Sequence, residues 1–454
     1  MDENPSVPTD LRTRLGIEKK LSIIRTAASV SHMSPSDKPL FAMVEAQLST
    51  SGLLPLEVAH RLGCEVIFVS NDPERYQGLG NYSAVFSDCV SKVIVGDTNS
   101  SAGVLDAVGD LVGSWGLAGL YTHCDYNLPF VAESAAALGL PGLAPAAAAT
   151  ARDKLETRRT CLAAGIPAPQ FVHATTESEA LEAAHRFGFP CVIKPMTESA
   201  STGVSLAFTE TDVSEYFQQI VRQRYDARGQ RRRPGVLVEE YALGYEVSVE
   251  TVTYDGATTL IGVTDKQLGA APYFAEIGDT FPSTLPESVT SALARTALDS
   301  LTAIGFDFGA AHTELRMTAD GPKLIEINAR IAGAEIADLV ELAYGIRYRE
   351  QVVRMHLGER PDLTPARSGG AASRYLMARE RGTVRAVYGA DLAGRIDGVS
   401  EVEVKAVPGY QVGPPTSNHE LYGHVVAAAT TSAEAGRRAD AALAQIHLVT
   451  CSES

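Results

Sequence analysis

Short apolar runs alternate with helical spacing in the first part of the chain. Leu40–Val44 and Glu65–Val69 are apolar stretches of strand length, and Leu53–Leu62 between them has helical spacing and is closed by Gly63. A strand, a helix and a strand at this spacing form a βαβ unit, whose strands lie parallel. We therefore expect a parallel sheet here.

The same alternation continues toward residue 144. Two more strands are predicted at Val93–Val95 and Gly119–Tyr121, and a helix at Ala132–Leu138. No G-x-G-x-x-G sequence follows the first strand, so the pattern disfavours a dinucleotide site at that position.

Beyond residue 146 the pattern changes to separated strands and longer helices. Ala147–Ala164 has helical spacing, and a second helix begins at a capping box of Thr176 and Glu179 and stops at Gly188. Apolar residues at every fourth position behind Pro286 predict an amphipathic helix. Strands are predicted at Cys191–Lys194, Val236–Glu239, Glu246–Tyr254, Ala310–Arg316 and Lys323–Asn328.

The pattern divides the chain into four parts. A stretch rich in Pro, Gly and charge at Pro361–Gly370 is predicted to be a linker, and the segment behind it ends in a helix at Ala433–Ile446 with an alanine face. A helix is also predicted around Leu11–Ala28. The predicted parts are an N-terminal extension (1–38), a βαβ domain (39–144), a second domain (145–358) and a C-terminal α+β domain (370–454).

Composition narrows the classes of protein. Hydrophobic residues make up 45% of the chain and charged residues 21%, as in ordinary soluble domains. We expect no membrane span, because no run of about 18 apolar residues occurs, and no secretory signal. The six cysteines are scattered, which indicates reduced thiols in the cytoplasm rather than disulfides or a zinc site.

The net charge of −16 argues against nucleic acid as a partner, because phosphate-backbone binding needs a concentrated positive field. The basic cluster Arg228–Arg233 is followed by Pro and Gly, and we interpret it as a solvated loop. ATP binding stays compatible with an acidic chain, because nearby Lys, Arg and metal ions decide that contact.

Two of the predicted strands carry polar side chains on one face. A period of two places Glu326, Asn328 and Arg330 together on the last of these strands, and Glu314 on the matching face of the strand before it. Antiparallel pairing would bring Glu314 beside Glu326. Two neighbouring carboxylates favour a cation between them, and Mg²⁺ is the natural occupant. A solvated sheet face of mixed charge is the alternative.

A hydroxyl-rich loop follows another buried strand. The strand ends at Lys194, and the loop contains Ser199, Ser201, Thr202 and Gly203. Backbone N–H groups and hydroxyls of such a loop can hold terminal phosphates, with the lysine as a point charge. The loop is not a Walker A loop, and an ordinary polar surface loop is the alternative.

A third stretch has the form of a hinge. An apolar strand ends in Glu239 and Glu240, Gly244 makes a turn, and an alternating strand contains Glu246. Such a hinge can offer a backbone edge to an adenine and a carboxylate to ribose hydroxyls. Glutamates that are merely solvated at a strand end are the alternative.

These three stretches, in this order, resemble the ATP-grasp superfamily over about residues 145–355. The closest similarity is to the bacterial L-amino acid ligases, the dipeptide synthetases of the bacilysin pathway, whose C-terminal part is similar to Lys405–Gly409 and Pro414–Gly423. The resemblance implies an α/β protein with an ATP-grasp fold. Its two lobes would meet near 205–235, a Rossmann-like pre-ATP-grasp domain would precede it, and an α+β domain would follow.

The resemblance also implies roles in nucleotide binding. Lys154 and Lys194 would contact the phosphates, although a surface lysine beside a helix-capping Asp153 is the alternative for Lys154. Glu239 would accept from the adenine amino group, and Glu246 would hold the ribose. The implied nucleotide-binding residues are Lys154, Lys194, Ser199, Ser201, Thr202, Gly203, Glu239, Glu240, Tyr241, Ala242 and Glu246.

The resemblance further implies a site for metal ions and for the transferring phosphoryl group. Glu314 and Glu326 would bind two Mg²⁺ ions, with Mn²⁺ as a substitute, and Asn328 would bind one of them. Arg330 would contact the transferring phosphoryl group and the substrate. Lys194 and Arg330 would thus be catalytic.

The substrate pocket departs from the family pattern. Family members place an E-x-G-H segment over the amino acid, and this chain has Glu276 and Gly278 but Asp279 in place of the histidine. Glu276 would hold the ammonium group of the first amino acid and act in catalysis, and Asp279 would favour a cationic substrate. The role of Lys266 stays open, because it could be a cation of the pocket or a paired surface residue.

The implied reaction is ATP-dependent amide formation between a small-molecule carboxylate and an amine, through an acyl phosphate, with ADP and phosphate as products. An ATP-grasp carboxylase or formate-dependent ligase is one alternative, and a non-catalytic ATP-binding regulatory protein is another. We expect no nucleic-acid or membrane partner, and a homodimer is left open.

Overall fold

The first domain is a four-stranded parallel sheet in the order β3-β2-β1-β4, which confirms the βαβ prediction. The computed structural model describes residues 38–451, so the predicted helix around Leu11–Ala28 lies outside it. The elements are β1 (Leu40–Val44), α1 (Thr50–Arg61), β2 (Glu65–Ser70), α2 (Tyr82–Asp88), β3 (Lys92–Val95), α3 (Ser101–Trp115), β4 (Leu117–Tyr121) and α4 (Leu128–Leu138).

The single helix predicted at Ala147–Ala164 is wrong, because the structure has two helices, α5 (Pro145–Arg152) and α6 (Lys154–Ala163). Asp153 separates them in an extended conformation, and its carboxylate accepts from two backbone N–H groups of the first turn of α6. Such a cap satisfies donors that a helix start leaves unpaired. The break places Lys154 at the first position of α6, with its side chain buried.

A small antiparallel sheet in the order β5-β8-β6-β7 follows, and we call residues 171–240 the lid. The predicted capping box of Thr176 and Glu179 starts its first helix. A second capping box, Thr209 with Asp212, starts a helix that the sequence analysis missed. The lid consists of β5 (Phe171–Ala174), α7 (Glu177–Phe187), β6 (Cys191–Lys194), β7 (Ser205–Ala207), α8 (Glu210–Arg222) and β8 (Val236–Glu240).

The largest sheet has eight strands, each antiparallel to its neighbours, in the order β13-β12-β9-β10-β11-β14-β18-β16. Helices α9, α10 and α11 accompany it, and α9 begins directly behind Pro286 as predicted. The elements before the C-terminal segment are β9 (Gly244–Tyr254), β10 (Ala257–Leu268), β11 (Glu276–Phe281), α9 (Glu287–Ala303), β12 (Gly309–Thr318), β13 (Gly321–Asn328), α10 (Ile336–Tyr344) and α11 (Tyr348–His356).

The C-terminal segment adds three strands to this sheet and forms a small sheet of its own, β17-β15-β19. Phe281 of β11 lies opposite Ala371 of β14, so one sheet crosses the predicted linker. One face of α13 is buried through Ala435, Ala439 and Ala442, as the alanine face predicted. The elements are β14 (Gly370–Tyr375), β15 (Gly382–Tyr388), α12 (Ala390–Ala393), β16 (Val399–Val404), β17 (Gln411–Val412), β18 (Gly423–Ala429), α13 (Ser432–Leu443) and β19 (His447–Cys451).

Two further findings concern the expectations from composition. Every cysteine is a free thiol, as predicted. Among the helices that the structure describes, none has the length and apolar character that a membrane-crossing segment needs.

Candidate active site

A cavity of about 680 Å³ lies between the lid and the large sheet. The lid contributes β6, β8 and the loop that follows β6, and the large sheet contributes β12, β13 and the start of β9. The lining residues are Lys154, Pro169, Val192, Lys194, Pro195, Glu198, Ser201, Thr202, Val204, Glu239, Glu240, Tyr241, Ala242, Glu246, Phe274, Glu314, Arg316, Ile325 and Glu326.

The pairing of β12 with β13 forms the acidic end of the cavity. Glu314 and Glu326 are direct neighbours in the antiparallel register, which confirms the pairing that the sequence predicted. Each carboxylate has a lysine partner: Lys266 Nζ lies 2.7 Å from Glu314 Oε1, and Lys154 Nζ lies 2.7 Å from Glu326 Oε1. Both strands thus present carboxylate oxygens at the same end of the cavity.

Neighbouring cations keep Glu314 charged. Burial opposes its ionisation, but Lys266 and then His312 hold its pKa well below the ordinary value. Burial also disfavours the charged form of His312, and the carboxylates of Glu250 and Glu314 nevertheless raise its pKa to about 10. Glu314 is therefore an ionised oxygen donor at neutral pH.

The donor set at this end fits Mg²⁺. Two carboxylates and the nearby Asn328 carboxamide offer oxygen ligands, the type that a hard cation prefers. Within residues 38–451, no three His, Cys, Asp or Glu side chains form a complete metal cage. Mg²⁺ does not require one, because it usually takes one or two carboxylates and completes its shell with phosphate oxygens and water.

Two buried lysines line the cavity beside the carboxylates. Lys154 Nζ also donates to the Glu198 carbonyl at 2.6 Å, and Lys194 Nζ lies 2.7 Å from Glu239 Oε2. Burial lowers the pKa of Lys194 to about 8, although the Glu239 carboxylate favours its charged form. The guanidinium of Arg158, which is fully buried, holds the other oxygen of Glu239 at 2.8 Å.

The opposite end of the cavity is aromatic and includes the backbone of Tyr241 and Ala242, which follow β8. The guanidinium carbon of Arg316 lies 5.1 Å from the ring centre of Tyr241 and 5.3 Å from that of Phe274. Arg316 also donates to Glu246 at 2.8 Å and to the Ala242 carbonyl at 3.2 Å. Aromatic walls and a backbone edge suit a flat base, and Glu246 lies beside it.

The first domain reaches the site through the turn after β4. Asp125 accepts from Arg330 Nε at 2.6 Å and from the Ser199 hydroxyl at 2.7 Å. Burial opposes its ionisation, but Arg330 lowers the pKa of Asp125 to about 2. The neighbouring Tyr126 donates to Glu198 at 2.6 Å, so the loop after β6 is held against the first domain.

Comparison with known proteins agrees with this arrangement. Models of the ATP-grasp N-terminal domain and of the ATP-grasp domain match residues 56–142 and 187–338. A model described as L-amino acid ligase C-terminal domain 2 matches residues 374–450. The chain belongs to the ATP-grasp ligases.

Relatives of this ATP-grasp chain include proteins of several activities. It is 28% identical over 386 residues to the uncharacterized protein y4rH of Sinorhizobium fredii. The aligned residues cover 85% of this chain and 78% of y4rH. It is 26% identical over 262 residues to the alanine–anticapsin ligase of Bacillus subtilis, covering 54% of each chain. Human carnosine synthase 1 is 28% identical over 264 residues, which span 54% of this chain and 31% of that protein.

Solved structures show the same fold. The L-amino acid ligase from Bacillus licheniformis superposes with a TM-score of 0.76 at 22% identity, over 92% of this chain and all of that one. The biotin carboxylase domain of Hydrogenobacter thermophilus 2-oxoglutarate carboxylase, solved with MgADP, gives 0.66 at 16% identity, over 90% of each chain.

The ATP-grasp cavity brings together most of the residues predicted from sequence. Of the predicted nucleotide-binding set, all but Ser199 and Gly203 line it. Ser199 and the predicted metal ligand Asn328 line an adjoining space of about 250 Å³, which shares Glu198 and Glu326 with the main cavity. Gly203 has a φ of 72° at the end of the same loop, a conformation that favours glycine.

The predicted catalytic and substrate residues Glu276, Asp279 and Arg330 lie outside the main cavity. Arg330 contacts Asp125, as described above. Glu276 Oε2 lies 2.7 Å from Lys266 Nζ, which joins it to Glu314. Asp279 follows Glu276 on the same strand, β11, and is fully buried.

The structure bears on three interpretations. Both oxygens of Glu239 face cations, Arg158 and Lys194, so the contact to adenine predicted for its carboxylate stays a prediction and would need an exchange of partners. Lys266 is a buried cation and not a surface residue. The cluster Arg228–Arg233 is not merely solvated, because Arg228 is buried and two of its other three arginines have acidic partners. These pairs are Arg232 with Glu198 and Arg233 with Asp153.

Sequence reasoning missed Arg158, Asp125 and Glu198. Arg158 follows Lys154 by four residues, the spacing that puts two side chains on one face of a helix, so that signal was available. Asp125 follows β4 at the carboxyl edge of a parallel sheet, where ligands bind in α/β folds. No local signal distinguishes Glu198 from the rest of its polar loop.

Proposed function

We propose that this chain is an ATP-dependent carboxylate–amine ligase that joins an amino acid to an amine or a second amino acid, with release of ADP and phosphate. The observation that carries the proposal is the direct pairing of Glu314 with Glu326 in one cavity with Lys154 and Lys194. Paired carboxylates beside buried lysines are the arrangement needed for a metal–triphosphate complex.

ATP would lie along the cavity in one direction. Its base would lie beside the rings of Tyr241 and Phe274 with its edge on the backbone near Ala242, and its phosphates would lie toward Lys154 and Lys194. Two Mg²⁺ ions held by Glu314, Glu326 and Asn328 would supply charge neutralisation of the outer phosphates. The lysines would take up the remaining phosphate charge.

The proposed chemistry has two steps, phosphorylation of the substrate carboxylate and then acyl transfer to the amine. A carboxylate oxygen of the first substrate attacks the γ-phosphorus, ADP leaves, and an acyl phosphate forms. The amine nitrogen then attacks the acyl carbon, the C–O bond to phosphate breaks, and phosphate and a proton are released. Arg330 would exchange Asp125 for the phosphoryl oxygens, and Glu276 would bind the ammonium group of the first substrate.

The loop after β6 is suited to exclude water. Ser199 binds Asp125, Glu198 binds Tyr126, and the Ser201 hydroxyl donates to the Phe274 carbonyl at 3.3 Å. Closure of this kind protects an acyl phosphate from hydrolysis.

An amino acid is a better candidate for the activated carboxylate than bicarbonate or formate. The support is the match of residues 374–450 to L-amino acid ligase C-terminal domain 2. The proposal includes small-molecule substrates only, with no nucleic acid.

The test is a matrix of amino-acid pairs supplied with ATP and Mg²⁺, with phosphate release and product mass measured together. We expect at least one pair to give an amide and equal amounts of ADP and phosphate. Glu326→Gln should reduce turnover by a factor of about 10² or more, because one metal-binding charge is lost.

Glu215→Gln, a change of the same type on an exposed face of α8, serves as the control and should leave turnover unchanged. Release of AMP and pyrophosphate would contradict the proposed reaction. Near-normal turnover in Glu326→Gln would contradict the site.

A further inference from the structure

Asp279 lies in a buried chain of acidic groups where the large sheet passes into the C-terminal segment. Its side chain has no exposure to solvent. One oxygen, Oδ2, lies 3.2 Å from the Ser373 hydroxyl and 3.1 Å from the Tyr375 hydroxyl. The other, Oδ1, receives no donor group. Asp279 lies opposite Lys266 in the strand register, and Lys266 Nζ lies 2.7 Å from Glu276 Oε2, so the Asp279 and Glu276 carboxyl groups lie near the same cation.

The hydroxyl protons around Asp279 leave one of its two oxygens without a donor. Tyr375 has a single hydroxyl proton but lies between two carboxyl groups, at 2.6 Å from Glu335 Oε2 and 3.1 Å from Asp279 Oδ2. Because Glu335 is the closer of the two, the Tyr375 hydroxyl donates its proton to Glu335. A hydrogen bond between Asp279 and Glu276 needs a further proton, because two ionised carboxylates cannot bond to each other.

The charges around Asp279 favour an added proton. Lys266 is the nearest cation, and it already lies 2.7 Å from both Glu276 and Glu314. From β14, Arg374 reaches the Asp279 backbone carbonyl rather than its carboxyl group. The remaining acidic group that faces the cluster is Glu335, and His424 lies beyond it, in contact with Glu335, Glu401 and Glu403.

We infer that Asp279 is a positioning residue that carries a proton and donates it in a hydrogen bond to Glu276, which fixes Glu276 for the substrate ammonium group. The inference rests on the proposed function in one respect, the role of Glu276 as the ammonium ligand. Burial and then the Glu276 carboxylate raise the pKa of Asp279 well above its ordinary value, in the direction that the proton count requires.

The arrangement gives the C-terminal segment a part in the site. Ser373 and Tyr375 belong to β14, and they hold the far oxygen of Asp279 while Asp279 holds Glu276. A neutral carboxylic acid used as a donor in this way needs a site that water does not enter.

The direct test compares Asp279→Asn with Asp279→Ala. An asparagine amide donates as the protonated acid does but cannot ionise, so Asp279→Asn should retain turnover within severalfold, and Asp279→Ala should raise KM for the first substrate more strongly. The acid form is the working form. At saturating MgATP, where the titration of Lys194 does not limit nucleotide binding, wild-type kcat/KM for the first substrate should therefore fall as pH rises through the raised pKa. That alkaline fall should be absent in Asp279→Asn.

A second measurement does not depend on turnover. The infrared spectrum of the intact protein at neutral pH should contain a buried, protonated carboxyl C=O band that disappears in Asp279→Asn. Asp255→Asn, at an exposed turn, is the control and should leave the band in place. An unchanged band in Asp279→Asn would overturn the inference.

Equal loss of activity in Asp279→Asn and Asp279→Ala would also overturn it. If the wild-type chain releases no phosphate with any amino acid, the proposed function fails, and the infrared band still decides whether Asp279 carries the proton.

Discussion

At the scale of single residues, the cations and carboxylates of the cavity form matched pairs. Lys154 faces Glu326, Lys194 faces Glu239, and Arg316 faces Glu246. Buried charges are tolerated only when they are paired in this way. Binding of a metal–nucleotide complex must therefore exchange partners rather than add charges to an empty space.

Lys194 gives a prediction about pH. Its pKa, lowered to about 8 by burial, means that the lysine loses its charge as pH rises past 8. Because ATP phosphates favour the charged form, ATP affinity should be highest below pH 8 and fall above it, by up to about tenfold per pH unit. Calorimetric titration with MgATP across this range measures the effect.

Lys194→Met is the comparison for this prediction. It should bind ATP weakly at every pH and lack the alkaline fall. A variant that shows the same fall as the wild type would assign the titration to another group.

The polar residues of the site were predictable where they stood on regular strands. Period-two alternation placed Glu314 and Glu326 together because β12 and β13 pair in the register that the sequence pattern favours. The pairing of Glu239 with Arg158 was not predictable, because Arg158 comes from a helix 81 residues earlier in the chain. Such long-range pairs follow from tertiary packing and leave no local pattern.

At the scale of elements, the break between α5 and α6 positions Lys154. The Asp153 cap starts α6, and its other oxygen contacts Arg233 of the lid. Asp153→Ala should lower the unfolding free energy by about 1 kcal/mol and also weaken MgATP binding, because the first turn of α6 carries Lys154. Urea unfolding and calorimetry measure the two effects.

Thr176→Ala is a matched control, because Thr176 caps α7 far from Lys154 in sequence. It should show a similar loss of stability with ATP affinity unchanged. Equal weakening of ATP binding in both variants would show that Asp153 acts only through general stability.

The missed elements have identifiable causes. β10 and β11 contain buried polar residues such as Thr264, Asp265 and Lys266, so their alternation of apolar and polar residues is lost. Thr264 and Lys266 are buried against the carboxylates of Glu250 and Glu314, and Asp265 accepts from Thr284. For α8 the capping box of Thr209 and Asp212 is visible in the sequence, and the helix was predictable.

At the scale of the whole molecule, the lid contacts the first domain through Arg228. Its guanidinium donates to the Ala46 carbonyl at 2.6 Å and to the Tyr76 hydroxyl at 3.1 Å, and lies 3.4 Å from Glu45 Oε2. These contacts join the lid, which forms one side of the cavity, to the first domain. The single large sheet joins the C-terminal segment to the same body.

Arg228→Ala should loosen the lid. We expect a severalfold rise in phosphate released per amide formed, because water reaches the acyl phosphate, and a loss of about 3–5 kcal/mol in unfolding free energy, because Glu45 stays buried without its partner. The exposed Arg224→Ala is the control. An unchanged ratio of phosphate to amide in a folded Arg228→Ala protein would contradict a role in closure.

The fold class could be predicted from the sequence because the βαβ alternation and the paired strands are local patterns. The continuity of the large sheet could not, because the pairing of β11 with β14 spans a segment that has the composition of a linker. Strand order across such a segment depends on which sheet edge is open in three dimensions.

The central claim is that the chain phosphorylates a substrate carboxylate. It is tested most directly with an amino acid labelled with ¹⁸O in its carboxylate, by mass analysis of the phosphate released. An acyl phosphate transfers one labelled oxygen to each phosphate, and this is the result we predict for wild type, with turnover lost in Glu326→Gln. Unlabelled phosphate, or label found in AMP, would contradict the account.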